Sequence, residues 1–151
     1  MSLDSTLDGT PAVPDEFAYT TTLPVRYRDT DTMGHVNNAV YVTYFEQARI
    51  DYFDAVLDIP LEEREMVLAN LEMDYRRSVT TDDEYVTVAV RTPSLGTRSF
   101  PTVCEMYTPD GDLAAEGSST LVVVDGEGGT RPIPDAWREA LVAFEPALDE
   151  A

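Results

Sequence analysis

The chain has 151 residues, of which 43% are hydrophobic and 26% charged; this is one domain's worth of chain with enough apolar side chain for a buried core, not a disordered tail. Its 29 acidic residues against 10 basic ones give a formal charge of −19, which argues against partners held through clustered positive charge, nucleic acids and anionic membrane surfaces alike. No apolar run approaches the roughly 20 residues of a membrane span, and the single cysteine, Cys104, excludes an internal disulfide framework and a cysteine-rich metal site.

Residues Met1 to Asp15 have neither the basic start nor the apolar stretch of a secretory signal, so the expectation is a soluble, cytoplasmic protein. All ten basic residues are arginine and none is lysine. Arginine is the more weakly hydrated cation and pairs carboxylates in a fixed fork. A surface this acidic repels itself at low salt, and at molar salt, where the screening length is roughly 3 Å, that repulsion is largely removed. The composition resembles that of proteins from salt-loving archaea; the alternative is an ordinary acidic protein that has few lysines by chance.

Taken in chain order, residues 1–15 read as a loose N-terminal arm. Phe17 to Tyr27, rich in Thr, Tyr and Val, reads as a strand, with Pro24 marking an edge position or an irregularity. Arg28 to Asn37 is polar, contains Gly34, and reads as a loop. Asn38 to Leu57 then reads as one long helix of about 30 Å. Tyr41, Phe45, Ala48, Tyr52 and Ala55 fall on one face, Asn37 or Asn38 supplies the N-cap, and Pro60 prevents continuation. The first two turns are apolar or weakly polar nearly all round, so this helix has to be covered on most sides.

Four further strands follow: Met66 to Tyr75, Tyr85 to Val90, Phe100 to Tyr107, and Leu113 to Val124. The connections carry turn chemistry at Asp82-Asp83, Pro93 to Gly96, Pro109 to Asp112 and Asp125 to Gly129. Links this short join antiparallel neighbours. Ile133 to Phe144 reads as a short closing helix with Pro134 near its start, and residues 147–151 as a tail. The whole is an α+β chain with one domain over 16–146, most simply a sheet laid around the helix. Such a sheet leaves an edge to protect. Pairing edges between two copies does so, which predicts a homodimer or a larger assembly such as a tetramer.

The segment Arg28-Asp29-Thr30-Asp31-Thr32-Met33-Gly34-His35-Val36-Asn37-Asn38 gathers two carboxylates, a glycine and the only histidine, and runs into the N-terminus of the covered helix. Free amides there favour negative charge and suit an oxyanion. Asp29, Asp31 and Gly34 fit the opening ligands and the glycine of an EF-hand loop, but Met33 and Val40 stand where oxygen ligands are required. Asp29 and Asp31 with His35 form a divalent-metal alternative without a second carboxylate–histidine cluster to support it. Acid–base work by one carboxylate beside His35 is the third reading. The plain alternative is a loop whose Asp and Asn residues only cap the helix and satisfy turns.

The stretch Val25 to Asn38, followed by Tyr41 and Tyr44-Phe45-Glu46-Gln47-Ala48-Arg49, resembles the acyl-CoA thioesterases of the hotdog fold, in particular the 4-hydroxybenzoyl-CoA thioesterase-like branch. Its Gly-His-Val-Asn-Asn portion is also similar to plant acyl-ACP thioesterases. The order of elements agrees from about Phe17 to Val124, and Arg131-Pro132-Ile133-Pro134 resembles the family's closing segment. The resemblance implies an antiparallel sheet wrapped around one long central helix. It also implies hydrolysis of an acyl-CoA thioester to acid and free CoA, with no cofactor beyond the coenzyme A of the substrate.

By the same resemblance Asp31 takes the place of the catalytic carboxylate, as general base or as nucleophile, and the Asn38 amide that of the oxyanion donor. His35 matches the histidine of the plant enzymes, whereas several bacterial relatives have another residue there. Asp29 reads as structural, paired with Arg26 or Arg28. Tyr41, Tyr44 or Phe45 would line the acyl chain, with plain core as the alternative for each. Arg76, Arg77, Arg98 and Ser99, at strand ends, are candidates for the CoA phosphates or for routine surface pairing; Ser78 stands where family members often have proline. Competing readings on this fold are an acyl-thioester hydratase or dehydratase, using Asp31 and His35 as acid and base, and a non-catalytic acyl-CoA binding protein.

Overall fold

The computed structural model describes residues 13–148. Most of the expected N-terminal arm and part of the expected tail lie outside the described residues. The elements are β1 (Tyr19–Pro24), α1 (Asn38–Leu57), β2 (Met66–Tyr75), β3 (Tyr85–Arg91), β4 (Ser99–Tyr107), β5 (Leu113–Val123) and α2 (Asp135–Phe144). The five strands form one sheet in the order β1-β3-β4-β5-β2, and every neighbouring pair is antiparallel.

The first strand is shorter than its composition predicts. Pro24 closes it, since proline has no amide to donate to a ladder, and Tyr27–Asp29 turns into a single turn of 3-10 helix. The last strand stops at Val123, and Val124 makes only an isolated bridge to Thr130. The closing helix begins at Asp135 because Ile133 is spent in the core and Pro134 takes the cap position.

α1 runs from Asn38 to Leu57, as the sequence predicts, with Asn37 as its N-cap: the Asn37 side-chain oxygen accepts from the Ala39 amide at 2.9 Å. Tyr41, Phe45, Ala48 and Tyr52 are buried, but Ala55 is exposed and the expected face turns. Toward its C-terminus the helix instead buries Phe53, Val56 and Leu57. A straight helix crossing a twisted sheet presents a changing side to it, and here the later turns also meet α2. The core joins α1 to Val86, Val88 and Val90 of β3, Phe100, Cys104 and Met106 of β4, and Leu121 and Val123 of β5. Its centre is Tyr52, whose hydroxyl bonds Thr92 at 2.8 Å and donates to the buried Glu145 carboxylate at the end of α2. That carboxylate also accepts the Thr92 amide at 3.1 Å.

β2 approaches β5 closely at one point. A Cβ on Gly117 would lie 2.4 Å from the Glu72 carbonyl oxygen and 3.3 Å from the Phe45 ring. Glycine there lets strand, strand and helix meet. Gly117→Ala therefore has to push β2 outward, and the expected loss is about 1–3 kcal/mol, read by urea or thermal unfolding. Because the nearest atom is backbone, pairing it with Phe45→Leu restores little; full rescue by that second change would contradict the packing described.

Candidate active site

The site is built on the loop between β1 and α1. Asp29, only 4% exposed, anchors it. Its carboxylate accepts the Arg26 amide at 2.9 Å and the Tyr44 hydroxyl at 2.8 Å, and pairs with the Arg26 guanidinium at 3.3 Å. Its own carbonyl accepts the amide of the cap residue Asn37 at 2.9 Å. One residue thus ties the end of β1, the loop and α1 together. The structural reading of Asp29 and its pairing with Arg26 match this geometry; Arg28 takes no part.

Beyond Asp29 the chain doubles back. Thr30 bridges Val36, the Asp31 amide donates to the His35 carbonyl at 2.8 Å, and Gly34, at φ +80°, makes the reversal that a residue with a Cβ resists. The Asp31 side chain is exposed. Its Oδ1 accepts the amides of Met33 at 2.8 Å and His35 at 3.2 Å, while Oδ2 has no partner among the described residues. One oxygen fixes the orientation of the carboxylate, and the other meets no described group. His35 is exposed, bridges Thr80 through its backbone, and contributes its amide rather than its ring to Asp31.

The Asn38 amide, first of the helix, is not used by any described group, as expected at a helix start. Beside it lies a recess of about 260 Å³ lined by Asn38, Tyr41, Tyr75, Arg76, Arg77 and Ser78. The Tyr75 hydroxyl donates to the Asn38 carbonyl at 2.9 Å and its ring meets Tyr41 edge-on at 5.0 Å. The Tyr41 hydroxyl donates to the Arg77 carbonyl at 3.2 Å and accepts the Val79 amide at 2.9 Å. Nothing in the local sequence pattern marks Tyr75; its partner is remote in the chain.

The other anticipated residues fall unevenly around this centre. Phe45 is 1% exposed beneath Gly117 and belongs to the core. Arg76 and Arg77 border the recess, but both are engaged: Arg76 with Glu116 at 2.7 Å, and Arg77 with Asp112 at 3.1 Å and the Thr108 hydroxyl at 2.8 Å. Arg98 and Ser99 stand at the other end of the sheet. Arg98 donates to the Thr130 carbonyl at 3.0 Å, and Ser99 pairs with Val122. Arg76 lies beside Ala114, roughly 26 Å away along β5.

Electrostatics separate the structural acid from the exposed one. Burial of Asp29 opposes its ionisation, yet the Arg26 amide, the Tyr44 hydroxyl and the Arg26 guanidinium outweigh that and hold its carboxyl below the usual value. Burial and the bond to Asp29 push Tyr44 up, so it stays a donor. Cys104, wholly buried, is pushed up to about 12 by desolvation and is no nucleophile. Among the described residues no three His, Cys, Asp or Glu side chains converge to hold a metal ion.

A carboxyl depressed in the fold stabilises above its unfolded value, and that contribution is lost as pH falls through the folded value. Asp29→Asn should therefore cost about 1–3 kcal/mol at pH 7, and Tyr44→Phe part of that. The gap from wild type should begin to narrow at about pH 4, the unfolded value, and close as pH falls through the lower folded value, read by thermal unfolding across pH. A gap that persists at low pH would show that Asp29 acts through packing alone.

Comparison with known proteins follows the same outline. The profile of the Thioesterase-like superfamily matches residues 25–141. A thioesterase from Thermus thermophilus, solved in complex with coenzyme A and Zn, is 41% identical and superposes with a TM-score of 0.79 over 87% of this chain and 97% of that one. A thioesterase superfamily structure from Jannaschia sp. CCS1, 23% identical, has a TM-score of 0.80 over 91% of this chain and 89% of that one, which speaks for the fold. The uncharacterized protein YsmA of Bacillus subtilis (strain 168) is 30% identical over 114 residues, 75% of this chain and 77% of its own length. With the profile spanning well over half its length, the chain belongs to the thioesterase-like superfamily.

Proposed function

We propose that the protein is an acyl-CoA thioesterase of hotdog architecture, its sheet curled around α1, that hydrolyses the thioester to carboxylic acid and free CoA. The observation that carries this reading is the succession along the chain of an oriented carboxylate, with an uncommitted Oδ2, on the loop and the unused amide of the first residue of a 20-residue helix. Membership of the superfamily and the coenzyme A held by the Thermus thermophilus relative support it.

In this mechanism Asp31 takes a proton from water as the oxygen adds to the thioester carbonyl carbon. The Asn38 amide meets the developing oxyanion, helped by the helix dipole. As the carbonyl re-forms, the C–S bond breaks and the thiolate takes up the proton, so water and thioester become acid and thiol. Direct attack by Asp31 would give a mixed anhydride that water then opens to the same products. His35, exposed beside Asp31, orients water or substrate.

The working form in this reading is a homodimer. β2 is the longer of the two edge strands, and Val67, Leu68 and Tyr75 on it are exposed; an apolar, unpaired edge calls for cover. The absence of lysine and the charge of −19 support an enzyme suited to high salt.

Thiol release from a panel of acyl-CoA chains in molar KCl tests the chemistry. Asp31→Asn should lose about 10²–10⁴ in kcat, while Asn38→Ala, which keeps the backbone donor, should lose far less. Wild type and Asp31→Asn equally slow on every substrate would sink the reading. Release of product without free thiol would point to hydration or dehydration instead. On dilution of KCl toward about 0.1 M, where repulsion reaches about 10 Å, both dimer and helical signal should weaken; full stability in dilute buffer would refute the salt claim.

A further inference from the structure

The nucleotide end of coenzyme A carries several phosphates, and a chain of charge −19 repels them unless an uncommitted cation is at hand. The two arginines bordering the recess do not qualify, since Glu116 and Asp112 already neutralise them. Arg26, Arg64, Arg91 and Arg131 are likewise paired with carboxylates. Arg49 is buried in the core against Ser119, and Arg98 and Arg138, which pair with no described carboxylate, hold the Thr130 and Gly96 carbonyls at the end of the sheet away from the recess. Arg28 remains: it is exposed and its guanidinium has no partner among the described residues.

Its neighbour is equally conspicuous. Tyr27, 88% exposed, is the most exposed large apolar side chain among the described residues, and its ring packs against no described aromatic. Both residues sit on the 3-10 turn Tyr27–Asp29, whose last residue is the buried anchor of the site. The Asp29 carbonyl meets the Asn37 amide at 2.9 Å, so Arg28 stands one residue from the point where the loop touches the cap of α1. Because Asp29 is fixed by Arg26 and Tyr44, the turn offers its two exposed side chains from a rigid base. An exposed flat ring beside an unspent guanidinium is the combination that takes a purine and its phosphates: the ring stacks the base and the fork grips phosphate oxygens.

We infer that Tyr27 and Arg28 seat the nucleotide end of the coenzyme A thioester, adenine on Tyr27 and phosphate on Arg28. This rests on the thioesterase reading above and adds to it the part of the substrate that lies outside the reacting centre. It relieves Arg76 and Arg77 of the phosphate role and leaves them as struts that hold the recess wall to β5 and the β4–β5 turn.

The test compares one acyl chain carried by CoA with the same chain carried by pantetheine, which lacks the nucleotide and its phosphates. Arg28→Ala should raise KM for the acyl-CoA about tenfold with kcat within about twofold of wild type, and leave the pantetheine thioester unaffected. Tyr27→Ala should do the same to a similar extent. Titration of free CoA into wild type and Arg28→Ala reads the seat without turnover, and should show the same loss of affinity. Equal effects on both thioesters, no effect on either, or a variant that changes its assembly state instead (the sign that a second copy covers this turn) would overturn the inference. Should wild type hydrolyse neither thioester, the thioesterase reading falls, and the free-CoA titration still decides the seat.

Discussion

The loop that leads into α1 depends on one buried carboxylate. Asp29 is held by the Arg26 amide and guanidinium and by the Tyr44 hydroxyl, while its carbonyl receives the amide of the helix cap. Removing an acid from water is costly unless charge and hydrogen bonds replace the lost hydration, and here they do so well enough to lower its pKa despite burial. The consequence is geometric. The chain between Asp29 and Asn37 has both ends fixed, so the Asp31 hairpin has little room to wander from the start of α1. Precision of this kind is what the proposed oxyanion site would require, since donors are useful only where charge develops.

The same economy governs the larger fold. α1 carries few charges where it meets the sheet, and the polar groups it does bury are answered in pairs: Tyr41 by the backbone of Arg77 and Val79, Tyr44 by Asp29, Tyr52 by Thr92 and Glu145. Three tyrosines on one helix thus anchor three different parts of the chain. The Glu145 bond is the most deeply placed of these; burial raises the carboxyl's pKa, with Tyr52 and Thr92 opposing that rise. It joins α2 to the core at the end of the helix opposite the site, and leaves the α1 N-terminus open.

Charge sets the third constraint. With 29 acidic residues and only arginine to answer them, most guanidinium groups are consumed in pairing carboxylates, several of them on the sheet surface. Glu105 and Glu116 face each other across β4 and β5, and Asp74 faces Glu116 across β5 and β2. Like charges opposite one another weaken a sheet, and Arg76, bridging Asp74 and Glu116, counters part of this. An anionic ligand therefore meets a surface on which uncommitted positive charge is scarce, which is why Arg28, without a partner among the described residues, carries weight.

Much of this was legible in the order of residues. The limits of α1 and β2, the strand sequence after the helix, the cap at Asn37 and the grouping of Asp31, Gly34 and His35 before it are local matters. Periodicity, turn chemistry and capping express them within a few residues. The resemblance carried by Val25 to Asn38 likewise pointed to the superfamily that the profile match shows. What only the tertiary structure decided is pairing between distant residues. That Tyr44 would bond Asp29, that Tyr75 would reach Asn38, that Phe45 would lie beneath Gly117 instead of lining a groove, and that Arg76 and Arg77 would be spent on Glu116 and Asp112 follow from how strands and helix come together. Ala55 shows the limit most simply. It continues the pattern of the buried face, yet it is exposed, because a helix crossing a twisted sheet turns a different side to it from end to end.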